Sequence, residues 1–336
     1  MNYIGSKHML YPQLEPIFSK LIEQNDFTPE NPLVFGDLFA GTGCIGYNLS
    51  KKFNVKVIAN DIQHYSYVLN KASLSVYSNE EKLLVDQYIK TYNNLEGVEG
   101  FIFKNYSQND HCERMYFSVE NAKKIDAIRM ALQKDINNLP ENVYWYLLAN
   151  LISSADKVAN TSCVYGAYLK SLKSSAMKPL TMTNNIQENQ VEGEVFCMDI
   201  CKLPEDLQFD IVYLDPPYNQ RQYAPNYHLL ETIALYDDPE IHGKTGLRDY
   251  SEQKSNFCVK SKIYSQMEKL IQRLRTEYIL ISYNDEGLMS KEELTELLKK
   301  YGSLEIIEIN YKKFKAQEGV KRQTLVEYLF ILEKIK

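Results

Sequence analysis

The chain holds little that would remove it from the ordinary globular classes. No apolar run approaches the ~20 residues a membrane-spanning helix requires, and the opening "MNYIGSKHML" has no apolar core and already carries Lys7 and His8. Neither a membrane protein nor a secretory signal is therefore expected. The six cysteines (44, 112, 163, 197, 201 and 258) contain no CxxC pair. Only Cys197 and Cys201 lie close together, without a matching histidine pair, so a zinc site or any other metal is not expected. Free thiols in a reducing cytoplasm fit better. An overall excess of positive charge is also missing: 38 Lys and Arg stand against 44 Asp and Glu, for a net charge of −6. Read globally, that balance argues against a nucleic-acid partner. Internal repeats and low-complexity segments are absent too.

What the chain does have is a core-forming composition, 44% hydrophobic and 24% charged over 336 residues. That length suits two domains, or one with a large insertion. "LVFGDLFAGTGCIGYNLSKK" (33–52) reads as a buried strand, a glycine turn and a helix, and "VKVIANDI" (55–62) as a second strand ending in Asp61. A helical segment to about Val76 follows, which makes a βαβ opening and implies a parallel sheet. Helical patterns then occupy 79–95, 118–137 and 140–160, and 161–190 reads as loop. Strands resume at 194–200 and 209–215, a helix is expected around 226–236, and a polar loop runs to about 260. Helices at 263–276 and 290–300 alternate with strands at 277–283, 304–311 and 324–332. The pattern predicts a doubly wound α/β sheet, residues 1–75 and 191–336, interrupted by a mainly helical insertion at 76–190.

Charge is not spread evenly over this frame. Between Lys157 and Gln187 there are four lysines (157, 170, 173 and 178) and no acid, and Lys312–Arg322 carries five basic residues against Glu318 alone. Two basic clusters on an acidic body are compatible with phosphate binding.

In "DLFAGTGCIG", Gly41 and Gly43 sit where a strand hands over to a helix, so backbone can approach a ligand beyond the strand ends. Gly41, Gly43 and Gly46 fit a dinucleotide fingerprint, but Asp37 stands four residues before the first glycine. A carboxylate there repels a pyrophosphate and attracts a cation. Asp61 ends the second strand, where a ribose diol is usually gripped. The residues therefore ask for a nucleoside with a ribose and a positive charge, and S-adenosylmethionine has both. A second oddity is "DIVYLDPPYNQRQY" (210–223), an apolar strand that runs into Asp215 and stops on Pro216, Pro217 and Tyr218. Two prolines fix the backbone and contribute no N–H groups.

Taken together, "DLFAGTG" and "DPPY" resemble the glycine and (D/N)PP(Y/F) motifs of S-adenosylmethionine-dependent amino methyltransferases. The order "YIGSK" (3–7), "FAGTG" (39–43), helical insertion, "DPPY" (215–218) is similar to that of the alpha-class, or Dam-like, DNA adenine N6-methyltransferases. The extension past "DPPY" looks closer to the methylases of type II restriction–modification systems than to housekeeping enzymes. The resemblance implies a Rossmann-like methyltransferase sheet with a helical target-recognition domain. It implies S-adenosylmethionine as cofactor, S-adenosylhomocysteine as product, and double-stranded DNA as substrate. A prokaryotic cytoplasmic setting, on the nucleoid when bound, and a cognate restriction endonuclease as companion follow from it. Tyr3, Ile4, Gly5 and Lys7 are expected near the cofactor carboxylate. Asp37, Phe39, Gly41, Thr42 and Gly43 are expected around the methionine part, and Asp61 and Ile62 at the ribose. Asp199 and Ile200 are expected at the cofactor adenine, although Asp199 could also serve as a helix N-cap.

For chemistry, Asp215 and the Pro216 carbonyl can accept the hydrogens of an adenine amine and stabilise the charge that builds on it. Pro217 fixes the loop and Tyr218 offers a stacking face for a flipped base. Lys170, Lys173, Arg221, Tyr223, Lys315, Lys321 and Arg322 are candidate DNA contacts, with base contacts expected from the 161–190 loop. His228 is expected to be core or helix surface. An RNA or protein amino methyltransferase, or a catalytically silent nucleic-acid-binding protein of the same fold, would share several of these features. A nicotinamide oxidoreductase fails on Asp37 and leaves DPPY unexplained.

Overall fold

The computed structural model describes residues 7–23, 32–189, 191–312 and 324–335. Along the chain come α1 (Tyr11–Glu23), β1 (Leu33–Asp37), α2 (Cys44–Lys52) and β2 (Val55–Asp61). Helices α3 (His64–Ser73), α4 (Asn79–Asn93), α5 (Phe101–Tyr106), α6 (Val119–Asp135) and α7 (Glu141–Val158) follow. Then come β3 (Glu194–Cys197), β4 (Ile211–Leu214), α8 (Ala224–Leu235) and a short ribbon pairing Ile241–His242 with Leu247–Arg248. The chain closes on α9 (Lys260–Arg273), β5 (Tyr278–Asn284), α10 (Lys291–Leu298), β6 (Gly302–Lys312) and β7 (Thr324–Lys334). These elements gather into two compact units.

The first unit, Lys7–Ile62 with Gly193–Gln222 and Lys254–Lys336, holds one seven-stranded sheet in the order β3-β2-β1-β4-β5-β7-β6. The strands from β3 to β5 are parallel, and β7 runs antiparallel to both its neighbours. The order reverses between β1 and β4, as in doubly wound sheets, so the crevice at the strand carboxyl ends is the place for a ligand. The predicted α/β class holds. Both faces are covered, which is why the central strands read as nearly continuous apolar runs. On one face Phe35 and Tyr213 meet the edge of Phe18 from α1 at 5.5 and 5.8 Å. On the other, Val212, Leu214, Ile279 and Ile281 pack with Met267 and Leu270 of α9 and Leu294 of α10.

Helix α1 has no counterpart among the elements expected from the sequence. Leu14, Phe18, Leu21 and Ile22 are buried at helical spacing, but Pro12 and Pro16 interrupt the pattern. Pro12 costs nothing in the first turn, where the N–H has no partner within the helix.

The second unit comprises Gln63–Glu192 and Tyr223–Gln253. The expected boundary near residue 76 thus lies earlier, and 223–253 leaves the span assigned to the sheet domain. The reason is apolar packing: Tyr65, Val68 and Leu69 of α3 and Leu229, Leu230 and Ile233 of α8 share one core with Leu147, Leu148 and Leu151 of α7. Two helices here begin on buried acids from elsewhere in the unit. Glu231 accepts from the His64 and Tyr65 N–H groups at 2.9 and 2.8 Å, and Asp126 from those of Ile102 and Phe103 at 2.9 and 2.8 Å. A carboxylate at a helix N-terminus satisfies orphan donors and complements the dipole. Helix α4 begins on a capping box of Ser78 and Glu81, which satisfies two orphan donors reciprocally. Among the described residues, no helix is long and apolar enough to cross a membrane.

Candidate active site

Strand register brings four acids toward one edge of the sheet. Asp37 ends β1 opposite Ala59, two residues short of Asp61 at the end of β2. On the other side Asp37 pairs with Tyr213, so Asp215 lies just beyond β4. Because β7 runs the opposite way, its early residues arrive at this same edge, and Glu327 pairs with Asn284 at the end of β5.

The glycine turn is held by its neighbours. The Gly41 N–H donates to Asp61 Oδ2 at 2.9 Å, and the Ala40 N–H to the Asn60 carbonyl at 3.0 Å. The Asn60 amide, itself buried, donates to the carbonyls of Leu38 and Met198 at 3.3 and 3.2 Å. Gly43 caps α2 at φ 75°, a left-handed conformation that favours glycine. Gly46 is required by contact, since a Cβ there would lie 2.7 Å from Val57 Cγ1. Its N–H donates to Asp37 Oδ2 at 3.1 Å. Burial pushes the Asp37 carboxyl up to about 7; the Gly46 bond opposes this, while Asp215 and Asp61 add to it. A nearby positive charge would lower it again.

The DPPY segment carries the tightest cluster. Lys7 Nζ lies 3.0 Å from Asp215 Oδ1 and 2.8 Å from Glu327 Oε1. The Tyr218 hydroxyl hydrogen-bonds Asp215 and Lys7, and reaches Glu327 Oε1 at 3.1 Å. Its ring stands edge-on to Tyr283 at 5.4 Å, with the Lys7 ammonium 4.9 Å from its centroid. The Leu288 N–H donates to the Tyr218 carbonyl at 2.7 Å, which pins the loop beyond the prolines. Burial raises the Asp215 carboxyl above its ordinary range, against the pull of Lys7 and Tyr218. Burial likewise raises Glu327, with Lys7 opposing and Asp215 reinforcing the rise. For Lys7, burial acts downward, and the two carboxylates outweigh it.

Most predicted positions meet at this edge, with some changes of role. Lys7, expected near a cofactor carboxylate, has its ammonium paired with both Asp215 and Glu327, as a buried cation needs compensating charge. Phe39 packs edge-on against Phe257 at 5.3 Å, and Thr42 and Ile62 are half-buried beside the turn. Asp199 caps the turn that follows it, accepting from the Cys201 N–H at 2.9 Å, and Ile200 is buried among Leu203 and Phe209. Pro216 is buried and Pro217 half-buried. Tyr3, Ile4, Gly5, Lys315, Lys321 and Arg322 lie outside the described residues. Glu327 and Asn60 join the site without having been expected there. The signal for Glu327 is a lone acid inside the apolar run "TLVEYLFIL", which needs a partner if it is buried.

Of the other candidate DNA contacts, Arg221 is exposed and Tyr223 half-buried. In the helical unit Lys170 is exposed, whereas Lys173 Nζ donates to the Thr161 carbonyl at 2.7 Å. Lys173 thereby closes its own loop around Asn160. That buried side chain accepts from the Lys173 N–H at 3.0 Å and donates to the Met115 and Leu169 carbonyls at 2.9 and 3.1 Å. His228 is core, with Nε2 on the Tyr165 carbonyl at 3.0 Å and burial pushing its pKa down to about 4.

The model of the D12 class of N6 adenine-specific DNA methyltransferases matches residues 3–297. The chain is 44% identical to the type II methyltransferase M.NlaIII of Neisseria lactamica over 99% of both chains. It is 36% identical to M.CviAII of Paramecium bursaria Chlorella virus 1, over 99% of this chain and 98% of that one. Against M.FokI of Planomicrobium okeanokoites the identity is 40% over 99% of this chain, which spans 53% of that protein.

Proposed function

Since the chain belongs to the D12 class of N6 adenine-specific DNA methyltransferases, we propose that it is the modification enzyme of a type II restriction–modification system. It moves a methyl group from S-adenosylmethionine to the N6 amine of an adenine turned out of duplex DNA. A cognate restriction endonuclease is its expected companion, and the bacterial cytoplasm its setting. The observation that carries this reading is Asp215, presented at the carboxyl end of β4 by two prolines and held by Lys7 and Tyr218.

The residues present fit the cofactor. Asp37, a buried acid with the Gly46 N–H and two further acids as neighbours, suits a positively charged ligand, and the glycine turn admits it closely. Asp37 and the Phe39–Gly43 turn would hold the methionine part, Asp61 the ribose and Asp199 the adenine amine. Bound there, S-adenosylmethionine supplies a methyl group on a cationic sulfur.

An adenine N6 is a weak nucleophile because its lone pair is shared with the ring. Asp215 and the Pro216 carbonyl accept its two hydrogens and draw the nitrogen toward tetrahedral geometry. They also offset the positive charge that grows on it, and their positions are fixed in advance. A paired base cannot enter this site, so the adenine must leave the stack. Tyr218, tied down by its hydroxyl, offers a ring that cannot swing away. Exposed Lys170, on the loop ordered by Asn160, and exposed Lys178 are the proposed phosphate contacts of the helical unit. Incubation with plasmid DNA and radiolabelled S-adenosylmethionine tests the reading: label must appear in N6-methyladenine. Label in RNA or protein, with none in DNA, would contradict it.

A further inference from the structure

We propose that Glu327 is a positioning residue for the reaction: it tunes Asp215 as an acceptor and takes up the proton that leaves the methylated amine. The inference rests on the adenine methyltransferase reading above. Its basis is the balance of charges in a small space. One ammonium, Lys7, stands between two carboxylates at 3.0 and 2.8 Å, and one hydroxyl, Tyr218, bridges the same two oxygens. Side-chain exposures are 9% for Lys7, 15% for Asp215 and 7% for Glu327, so water does little to screen the surplus negative charge. Nearby, Asp37 faces Asp215 as a further acid, and the Tyr213 hydroxyl is engaged by Ser282 Oγ at 2.8 Å and so stands outside the chain of bonds. A buried group of net charge −1 binds a proton more readily than an isolated exposed carboxylate does.

Methyl transfer releases one proton. As the N–CH3 bond forms, the S–CH3 bond breaks and its electron pair stays on sulfur. The nitrogen is left with one hydrogen too many, and that N–H bond breaks with its pair returning to nitrogen. The proton passes to Asp215; the Tyr218 hydroxyl, which donates to Asp215 while that acid is ionised, then turns its hydrogen to Glu327 and accepts from the protonated acid, so the proton moves onward. The cluster goes from −1 to neutral, and Glu327 later returns the proton to solvent. Without Glu327, Lys7 would pair with Asp215 alone, lower its proton affinity and leave the proton without a destination.

The test is single-turnover methylation of plasmid DNA across pH with full-length Glu327→Gln. The amide keeps an acceptor for Lys7 and Tyr218 but removes the charge. The chemical step should slow about 100-fold or more and the acidic limb of the pH–rate profile should move to lower pH. Binding of S-adenosylmethionine and of DNA should stay within about threefold. Glu327→Asp, which restores the carboxylate, should return the acidic limb to its wild-type position. An unchanged rate and profile in Glu327→Gln overturns the proposal. So does a displaced limb in Glu327→Asp, which alone decides the matter should Glu327→Gln fail to fold. Absence of N6-methyladenine from the wild-type reaction would instead sink the underlying reading.

Discussion

Asp37 is where a single residue makes the site sensitive to pH. Its carboxyl, raised to about 7 chiefly by burial, is largely protonated at pH 6 and ionised at pH 8. A cationic ligand prefers the ionised form, so affinity should rise with pH through neutrality and fall below it. Calorimetry with S-adenosylmethionine at pH 6 and 8 should show about tenfold weaker binding at the lower pH. Asp37→Asn should remove most of that difference; an equal pH dependence in the variant would place the titrating group elsewhere. Asp215 is expected to matter for rate and little for cofactor affinity, because its partners are Lys7 and Tyr218 and not the glycine turn. Asp215→Ala should lower the rate of methylation by about 100-fold or more, roughly 3 kcal/mol, as for loss of a preorganised charge-stabilising group. Cofactor affinity should stay within a few-fold in the same protein, and activity near wild type would contradict the mechanism. At this scale the motif residues were legible because chemistry restricts them: an acid, two prolines and a ring in a row have few other uses. Glu327 was legible only as a lone acid in an apolar run; its place beside Asp215 depends on β7 running backwards, which no local pattern reveals.

Elements were legible where their own residues carry the signal. The helix expected at 79–95 and the βαβ opening at 33–61 were of that kind. Helix α1 was hidden by two prolines within an otherwise regular apolar face. That face nonetheless covers the sheet through Phe18, fully buried between Phe35 and Tyr213. Phe18→Ala should destabilise the protein by about 3–5 kcal/mol through lost burial and a residual cavity. Chemical denaturation followed by circular dichroism would read it, and a loss under about 1 kcal/mol would mean that α1 adds little to the core. Helices α3 and α8 show the opposite case. Each was found in the sequence, but its allegiance to the helical unit is set by packing among Tyr65, Leu148 and Leu230, residues far apart in the chain.

For the whole molecule, the net charge of −6 conceals where a polyanion can approach. Lys170, on the loop closed by Asn160, and Lys178, whose carbonyl accepts from the Asn121 amide, are exposed in a stretch without acids. Lys173, by contrast, spends a hydrogen bond on the Thr161 carbonyl. Removing Lys170 and Lys178 together should flatten the log–log salt dependence of DNA binding by roughly one to two units. An unchanged slope would put the phosphates elsewhere. The chemistry falls on one atom, the adenine N6, and nucleoside analysis of genomic DNA after reaction with S-adenosylmethionine reads it directly. N6-methyladenine should be made by the wild-type protein and lost in Asp215→Ala; genomic DNA left unmethylated by the folded, cofactor-binding wild-type protein would contradict the assignment.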